Sequence, residues 1–421
     1  MNILHTVQFY SPSVGGAQEV VRQISEQLVK HGHTVTVATS FHPLRNNFEL
    51  NGVRIRQFNI KGNAVQGYQG EVDSYRDFLR HGKFDVMMNY AAQQWATDLA
   101  FPELGQLPYK KVLIPCGFSA LYNPAYADYF TQMPDVMQRY DHLIFHADHY
   151  RDTDFARQHG FTHWSIIPNG ALQAEFKDPD LTFRERYNIP TDVLLLLTIG
   201  THTGIKGHRL TLDAFRRLET RQAVLVIIGN VTEPASLWQH ALRPVLGAIK
   251  RGNTRHAIEI IRQTWHGGLG AGCLPDCRMQ AAEINYQLTP GKRVLLLDLP
   301  RPDVVAAYYA ADLFIFGSNI EYSPLVLFET LAAKTPFLSL DCGNAAEIAA
   351  WTGGGRIATT LRLPNGFVNA DPAVFAHEID NLLNHPDERI LLASRGYTAS
   401  HEHFTWEKLV IEYENLYQSL L

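Results

Sequence analysis

Two series of short apolar runs, each run bounded by turn residues, alternate along this chain with amphipathic stretches of about ten to sixteen residues, and few folds accept such a pattern. Runs that are apolar throughout belong in sheets covered on both faces, and the amphipathic stretches between them read as crossover helices. The expectation is therefore α/β, with doubly wound parallel sheets. The first series predicts strands over residues 3–10, 34–39, 53–59, 84–90, 111–115, 142–146 and 165–168. Its first helix, over 17–31, places Val20, Val21, Ile24 and Leu28 on one stripe and has Gly32 as its C-terminal cap. The second series predicts strands over 193–199, 223–228, 294–299, 313–316 and 336–340, with 356–359 as a short edge. Between the two lies EFKDPDLTFRERYNIP, a polar, proline-containing stretch suited to a connector, which puts the boundary within 172–190.

With 421 residues the chain exceeds what one core usually organises, so two domains follow, and with them a cleft. Lys and Arg total 37 against 42 Asp and Glu, which supplies no basic field for nucleic acid and no cluster to hold anionic lipid. No apolar run is long enough to span a bilayer, and MNILHTVQFYSPSVGG reads as a first strand rather than a signal peptide. Four cysteines in so long a chain fit reduced thiols, and a cytoplasmic location is expected. Oligomeric state is left open.

One segment breaks the alternation. Residues 231–291 separate two predicted strands of the second series, with helices expected over 235–250, 256–264 and 276–288. A connection of that length is an insertion, read either as a lid or as a peripheral packing or oligomer-contact element. The last stretch, 372–421, is expected to be helical throughout.

In open parallel sheets, ligands bind at the carboxyl ends of the strands, where helix N-termini offer unpaired N–H groups to phosphate. Three loops fall there. SPSVGGAQ follows the first strand, and Gly15 and Gly16 would allow close backbone approach, although a tight turn needs glycine as well. GTHTGIKGH follows the first strand of the second series, with Gly200, Gly204 and Gly207 for folding and Lys206 beside a helix start; taken singly, such a lysine is more often a solvated surface residue, but this loop follows a buried-looking strand and faces the expected cleft. The segment ADLFIFGSNIEYSPLVLFETLAAKTPFLSLDCGNAAE places Glu321 in a loop and Glu329 inside the next helix, whose first N–H groups lie near Leu325 and Val326. The pair could hold different hydroxyls of one extended ligand, or Glu321 could merely offset a helix dipole with Glu329 solvated.

In this order, SPSVGGAQEVVRQISEQLVKHGHTVTVATS, IIPNG, KGH before a helix, the Glu321/Glu329 pair and CGNAAE, the chain resembles the retaining, nucleotide-sugar-dependent glycosyltransferases of the GT-B fold, family four (the glycogen-synthase-like, group 1 type). The resemblance covers nearly the whole chain except 231–291. It implies two Rossmann-like domains facing across a cleft. Residues 1–171 with the C-terminal helix 404–421 would bind the acceptor, and 190–403 the nucleotide sugar. It further implies Lys206 on the donor diphosphate, Glu321 on the sugar hydroxyls, Glu329 on the ribose hydroxyls, and Gly15, Gly16 and Gly200 beside the donor. Leu325 and Val326 would offer N–H groups to its phosphate, and Glu347 matches a recurring glutamate. The implied reaction is front-face hexosyl transfer without metal or other cofactor, from a UDP- or GDP-linked rather than ADP-linked donor to a glycan, lipid-linked or small-molecule acceptor. Peripheral membrane contact is compatible with it.

Two departures stand out. Thr201 and His202 follow Gly200 where the family usually has an arginine, for which His202, His208 or Arg209 are the available substitutes. Cys116 stands where many members have a cleft histidine, and reads better as a small buried hydrophobe; His146 is then the histidine placed to reach the cleft. A zinc site from Cys273, Cys277 and His266 lacks a fourth ligand at suitable spacing, so no metal is expected. Asp152-Thr153-Asp154 reads as a solvated helix face. The rival functions are a sugar-nucleotide epimerase or glycan phosphorylase on the same architecture, and a non-catalytic sugar-binding protein.

Overall fold

The computed structural model describes residues 1–229, 272–286 and 291–421. The helices expected over 235–250 and 256–264, and His266, lie outside the described residues, whereas the end of the expected insertion is the helix Leu274–Tyr286. The described chain forms two units. Met1–Gln173, Tyr322–Leu325 and Glu402–Leu421 make the first; Ala174–Glu321 and Val326–His401 make the second.

The first unit is built on strands β1 (Asn2–Thr6), β2 (Thr34–Ser40), β3 (Glu49–Leu50) and β4 (Val53–Phe58). An antiparallel hairpin of β5 (Ile60–Asn63) and β6 (Gly67–Gly70) follows, and then β7 (Val86–Tyr90), β8 (Lys110–Ile114), β9 (His142–Phe145) and β10 (Trp164–Ile166). The sheet order is β10-β9-β8-β7-β1-β2-β4-β3, parallel except for β3 against β4. All of β7 is buried, as a strand covered on both faces must be. On one face, Val21, Ile24 and Leu28 of helix Gly16–Lys30 pack with Trp406, Leu409, Val410 and Tyr413 of helix Trp406–Leu420 over Ile3 and Val37. The opposite face is filled by Tyr75, Leu79, Trp95, Phe118 and Met133. Strand β1 ends at Thr6, not at residue 10: Val7 and Tyr10 remain buried as loop residues, so the apolar pattern runs past the strand itself.

The second unit holds β11 (Leu194–Ile199), β12 (Ala223–Ile228), β13 (Lys292–Leu297), β14 (Leu313–Phe316), β15 (Phe337–Ser339) and β16 (Gly355–Ile357). They form a wholly parallel sheet in the order β13-β12-β11-β14-β15-β16, beside a small antiparallel pair, β17 (Leu361–Arg362) and β18 (Val368–Asn369). Leu196, Leu225, Ile227 and Ile315 pack with Leu212, Phe215, Phe375 and Ile379 from the covering helices. The C-terminal stretch is three helices, Pro372–Asn384, Pro386–His403 and Trp406–Leu420, and the first is capped by Asp371, whose carboxylate accepts from the Ala373 and Val374 N–H groups. Among the described residues no helix is long and apolar enough to cross a membrane.

Both sheets contain a point where the strand order reverses: between β1 and β7 in the first unit, between β11 and β14 in the second. Adjacent loops leave such a point in opposite directions and open a crevice at the strand carboxyl ends.

Candidate functional site

At the reversal point of the second unit, the loop after β11 meets the loop after β14. Asn319 donates its backbone N–H to the Ile205 carbonyl at 2.8 Å, and the Ser318 hydroxyl stands 3.2 Å from the same carbonyl oxygen. The approach is close because two glycines meet. Gly207, at φ +69°, caps the helix His208–Arg217 in the left-handed region, and a Cβ there would sit 1.7 Å from the Gly317 carbonyl oxygen. Held this way, the Lys206 ammonium donates to Glu321 Oε1 at 2.6 Å, and the Ser318 hydroxyl donates to the same oxygen at 2.7 Å. A Cβ on Gly200 would lie 3.1 Å from the Lys206 stem, so the glycine gives the lysine its bed. The hydroxyl of Thr203, in the same loop, is buried with no hydrogen-bond partner among the described residues. Lys206, Glu321 and Gly200 therefore converge, and Ser318 joins them.

Glu329 belongs to a different network. It is buried; its Oε1 accepts from the Arg301 guanidinium at 2.7 Å and its Oε2 from the Tyr308 hydroxyl at 2.8 Å. Arg301 also donates to Glu175 at 2.6 Å. Burial alone would lower the Arg301 pKa, but the two carboxylates outweigh it and raise it well above its ordinary value. A solvated Glu329 is excluded. Arg301, Tyr308 and Glu175 carried no signal in the sequence, because their partner lies far along the chain. Glu329 is on helix Leu325–Ala332, which begins just after Pro324. Leu325 packs on the first unit's core, while Val326 belongs to the second unit. Glu347 sits in the first turn of helix Ala345–Thr352, half-buried. His202 is buried beside His208, its Nδ1 3.1 Å from the other ring's Nδ1.

In the first unit, Gly15 precedes helix Gly16–Lys30 in extended backbone, and a Cβ on Gly16 would meet nothing within 4 Å. His146, just after β9, is wholly buried: its Nδ1 lies 2.7 Å from the Ile167 carbonyl, its Nε2 3.3 Å from the Tyr90 hydroxyl, and burial pulls its pKa down to about 4. Its backbone N–H donates to the Tyr322 hydroxyl at 2.9 Å, and that hydroxyl is hydrogen-bonded to Asp152. Asp152 is not on a solvated face. It is fully buried, accepts from the Gly117 N–H at 2.7 Å, and is pushed by burial up to about 6. An Asp-Thr-Asp triplet looks solvated in sequence because the satisfying groups, Gly117 and Tyr322, are remote. Cys116, at φ 61°, Gly117 and Phe118, at φ 46°, are consecutive left-handed residues, a strained turn of the kind found at binding sites. Burial raises the Cys116 thiol to about 12, so it is no nucleophile at neutral pH.

No family model matches this chain, and no curated protein matches it. Solved structures match it over its full length. Sucrose-phosphate synthase from Thermosynechococcus elongatus is similar at a TM-score of 0.74 and 16% identity, with 100% of this chain and 98% of that chain covered. A glycosyltransferase from Rickettsia africae gives 0.67 and 15%, covering 100% and 98%. HepE from Anabaena, in complex with UDP and glucose, gives 0.68 and 13%, covering 100% of both chains. With two doubly wound parallel sheets, each carrying a reversal point, the chain has the GT-B fold of these glycosyltransferases.

Proposed function

We propose that this protein is a retaining glycosyltransferase that moves a hexosyl group from a UDP- or GDP-linked sugar to a hydroxyl of a glycan, lipid-linked or small-molecule acceptor. The observation that carries the proposal is the Lys206–Glu321–Ser318 cluster at the reversal point of the second sheet. An ammonium beside the start of helix His208–Arg217 suits a diphosphate, and a carboxylate hydrogen-bonded to that ammonium suits the hydroxyls of the sugar next to it. HepE, similar in fold, was solved with UDP and glucose.

In this reading the acceptor oxygen bonds to the anomeric carbon on the face from which the diphosphate departs. The carbon–oxygen bond to phosphate breaks with its electron pair going to the phosphate, and the acceptor's proton passes to that departing oxygen. Lys206 and the N–H groups near Leu325 and Val326 stabilise the charge that builds there, without a cofactor. Glu329 reaches the ribose hydroxyls by sharing oxygens already held by Arg301 and Tyr308. The first unit, with Gly15 and Gly16 at its reversal point, takes the acceptor.

Isothermal titration with UDP, GDP, ADP and their sugars tests the donor, with UDP or GDP expected to bind more tightly than ADP. Lys206→Ala should weaken that binding and lower turnover by about 10²–10³-fold. Turnover that requires inorganic phosphate, release of an epimerised donor, or tight donor binding with no transfer across a broad acceptor panel would each replace the proposal with one of its rivals.

A further inference from the structure

Beside the cluster just described, four side chains from two distant parts of the chain meet inside the second unit: His202 from the loop after β11 and His208 at the start of the helix that follows it, and Cys273 and Cys277 at the start of helix Leu274–Tyr286. All four are buried, and their ligand atoms lie within 4.8 Å of one another. Cys277 Sγ is 3.5 Å from Cys273 Sγ. Cys273 Sγ is 3.6 Å from His202 Nδ1 and 3.8 Å from His208 Nδ1, and the two Nδ1 atoms are 3.1 Å apart.

Tetrahedral zinc, with Zn–S near 2.3 Å and Zn–N near 2.05 Å, places two sulfurs about 3.8 Å apart, sulfur and nitrogen about 3.6 Å, and two nitrogens about 3.3 Å. The four separations given above, Cys277–Cys273, Cys273 to each histidine and histidine to histidine, match that set to within a few tenths of an ångström, and all four ligand atoms lie within 4.8 Å of one another. Without a cation, two imidazole nitrogens at 3.1 Å must share one proton, and the two cysteines lie in a cluster of buried apolar side chains. The backbone holds the same arrangement: Cys273 donates its N–H to the His202 carbonyl at 3.0 Å, and one helical turn brings Cys277 onto Cys273.

We propose that His202, His208, Cys273 and Cys277 form a structural zinc site. Four protein ligands fill a tetrahedral shell, so the metal takes no substrate and acts by fixing geometry. What it fixes is the loop that carries Lys206, which lies between the two histidine ligands, against the helix Leu274–Tyr286.

The test uses the full chain, purified without added chelator, and reads metal content rather than activity. About one zinc per chain should survive dialysis, and protein stripped and reloaded with cobalt should show the intense visible bands of tetrahedral cobalt with a thiolate-to-metal absorption in the near ultraviolet. Cys277→Ser and His208→Asn should lose that metal and that spectrum, whereas Cys116→Ser and Cys342→Ser should keep both. Should the ligand variants fail to fold, the native chain still decides: mercurial titration should release the zinc with two of the four thiols, the last two to react. Less than a tenth of an equivalent of metal after reloading with excess zinc, a disulfide between Cys273 and Cys277, or loss of metal on Cys342→Ser would overturn the site.

Discussion

Glu321 and Glu329 are the same side chain in surroundings that give them different costs of removal. Glu329 is the counter-charge of Arg301 and the acceptor for a buried tyrosine hydroxyl, so Glu329→Ala leaves two donors short of a partner. The expected outcome is a lower Tm, by about 2–4 kcal/mol of stability because Glu175 still holds Arg301, together with weaker nucleotide affinity. Glu321→Ala should leave Tm nearly unchanged. It releases Lys206 from its 2.6 Å contact, so free UDP or GDP should bind as well or better while sugar transfer falls. Equal loss of nucleoside diphosphate affinity in both variants would refute this division. Asp152 makes a separate prediction. Burial raises its pKa from 3.8 to about 6, so the folded chain holds that proton more tightly than the unfolded chain. The stability this contributes is complete below about pH 4 and is lost as the pH rises through about 6. Asp152→Asn removes the titration and should gain on the order of 2–3 kcal/mol relative to the native chain between about pH 4 and pH 7.5 in urea unfolding. Identical pH profiles would show the carboxyl to be unperturbed.

At the scale of elements, the joints are less tolerant than the strands. Gly207 has both a positive φ and a carbonyl where its Cβ would go; Gly16 begins a helix with open space beside it. Gly207→Ala should therefore cost more than about 2 kcal/mol and disturb the Lys206 loop, whereas Gly16→Ala should leave thermal unfolding unchanged or slightly raised. Equal Tm values for the two would contradict the close approach of Gly207 to Gly317. The same contrast explains what the sequence conveyed. Strands buried on both faces, such as β11 and β12, are continuous apolar runs and were legible; β3 and the β5–β6 hairpin are short and largely exposed, with no apolar signature, and were not. Lys206 and Glu321 could be noticed because each is a charged residue in a loop after a strand, yet only the neighbouring of β11 and β14 explains why they touch. Of the four proposed zinc ligands, Cys273 and Cys277 were legible as a closely spaced pair, but their histidine partners were not: His266 is close to them in sequence, while His202 and His208, close in space, precede them by about seventy residues.

For the whole molecule, the helix Trp406–Leu420 is the piece most distant in sequence from the sheet it covers. Its Trp406, Leu409, Val410, Tyr413 and Tyr417 are buried, and the Tyr417 hydroxyl lies 3.3 Å from His5 Nε2 and 3.1 Å from the Met88 sulfur. Deleting residues 402–421 should give a chain that aggregates or binds hydrophobic dyes, with the second unit still able to unfold cooperatively. A truncated chain with native Tm and solubility would show the helix to be peripheral.

That placement also sets a timetable. A ribosome making this chain delivers β1, β2 and β7 first, then the entire run Ala174–His401, and only afterwards the helix that covers Ile3 and Val37. Throughout that interval the emerging first unit has helix Gly16–Lys30 on that face but lacks the other half of its cover, while the second unit has nearly everything it needs to close on itself. Of the two units, the one begun first is the one completed last.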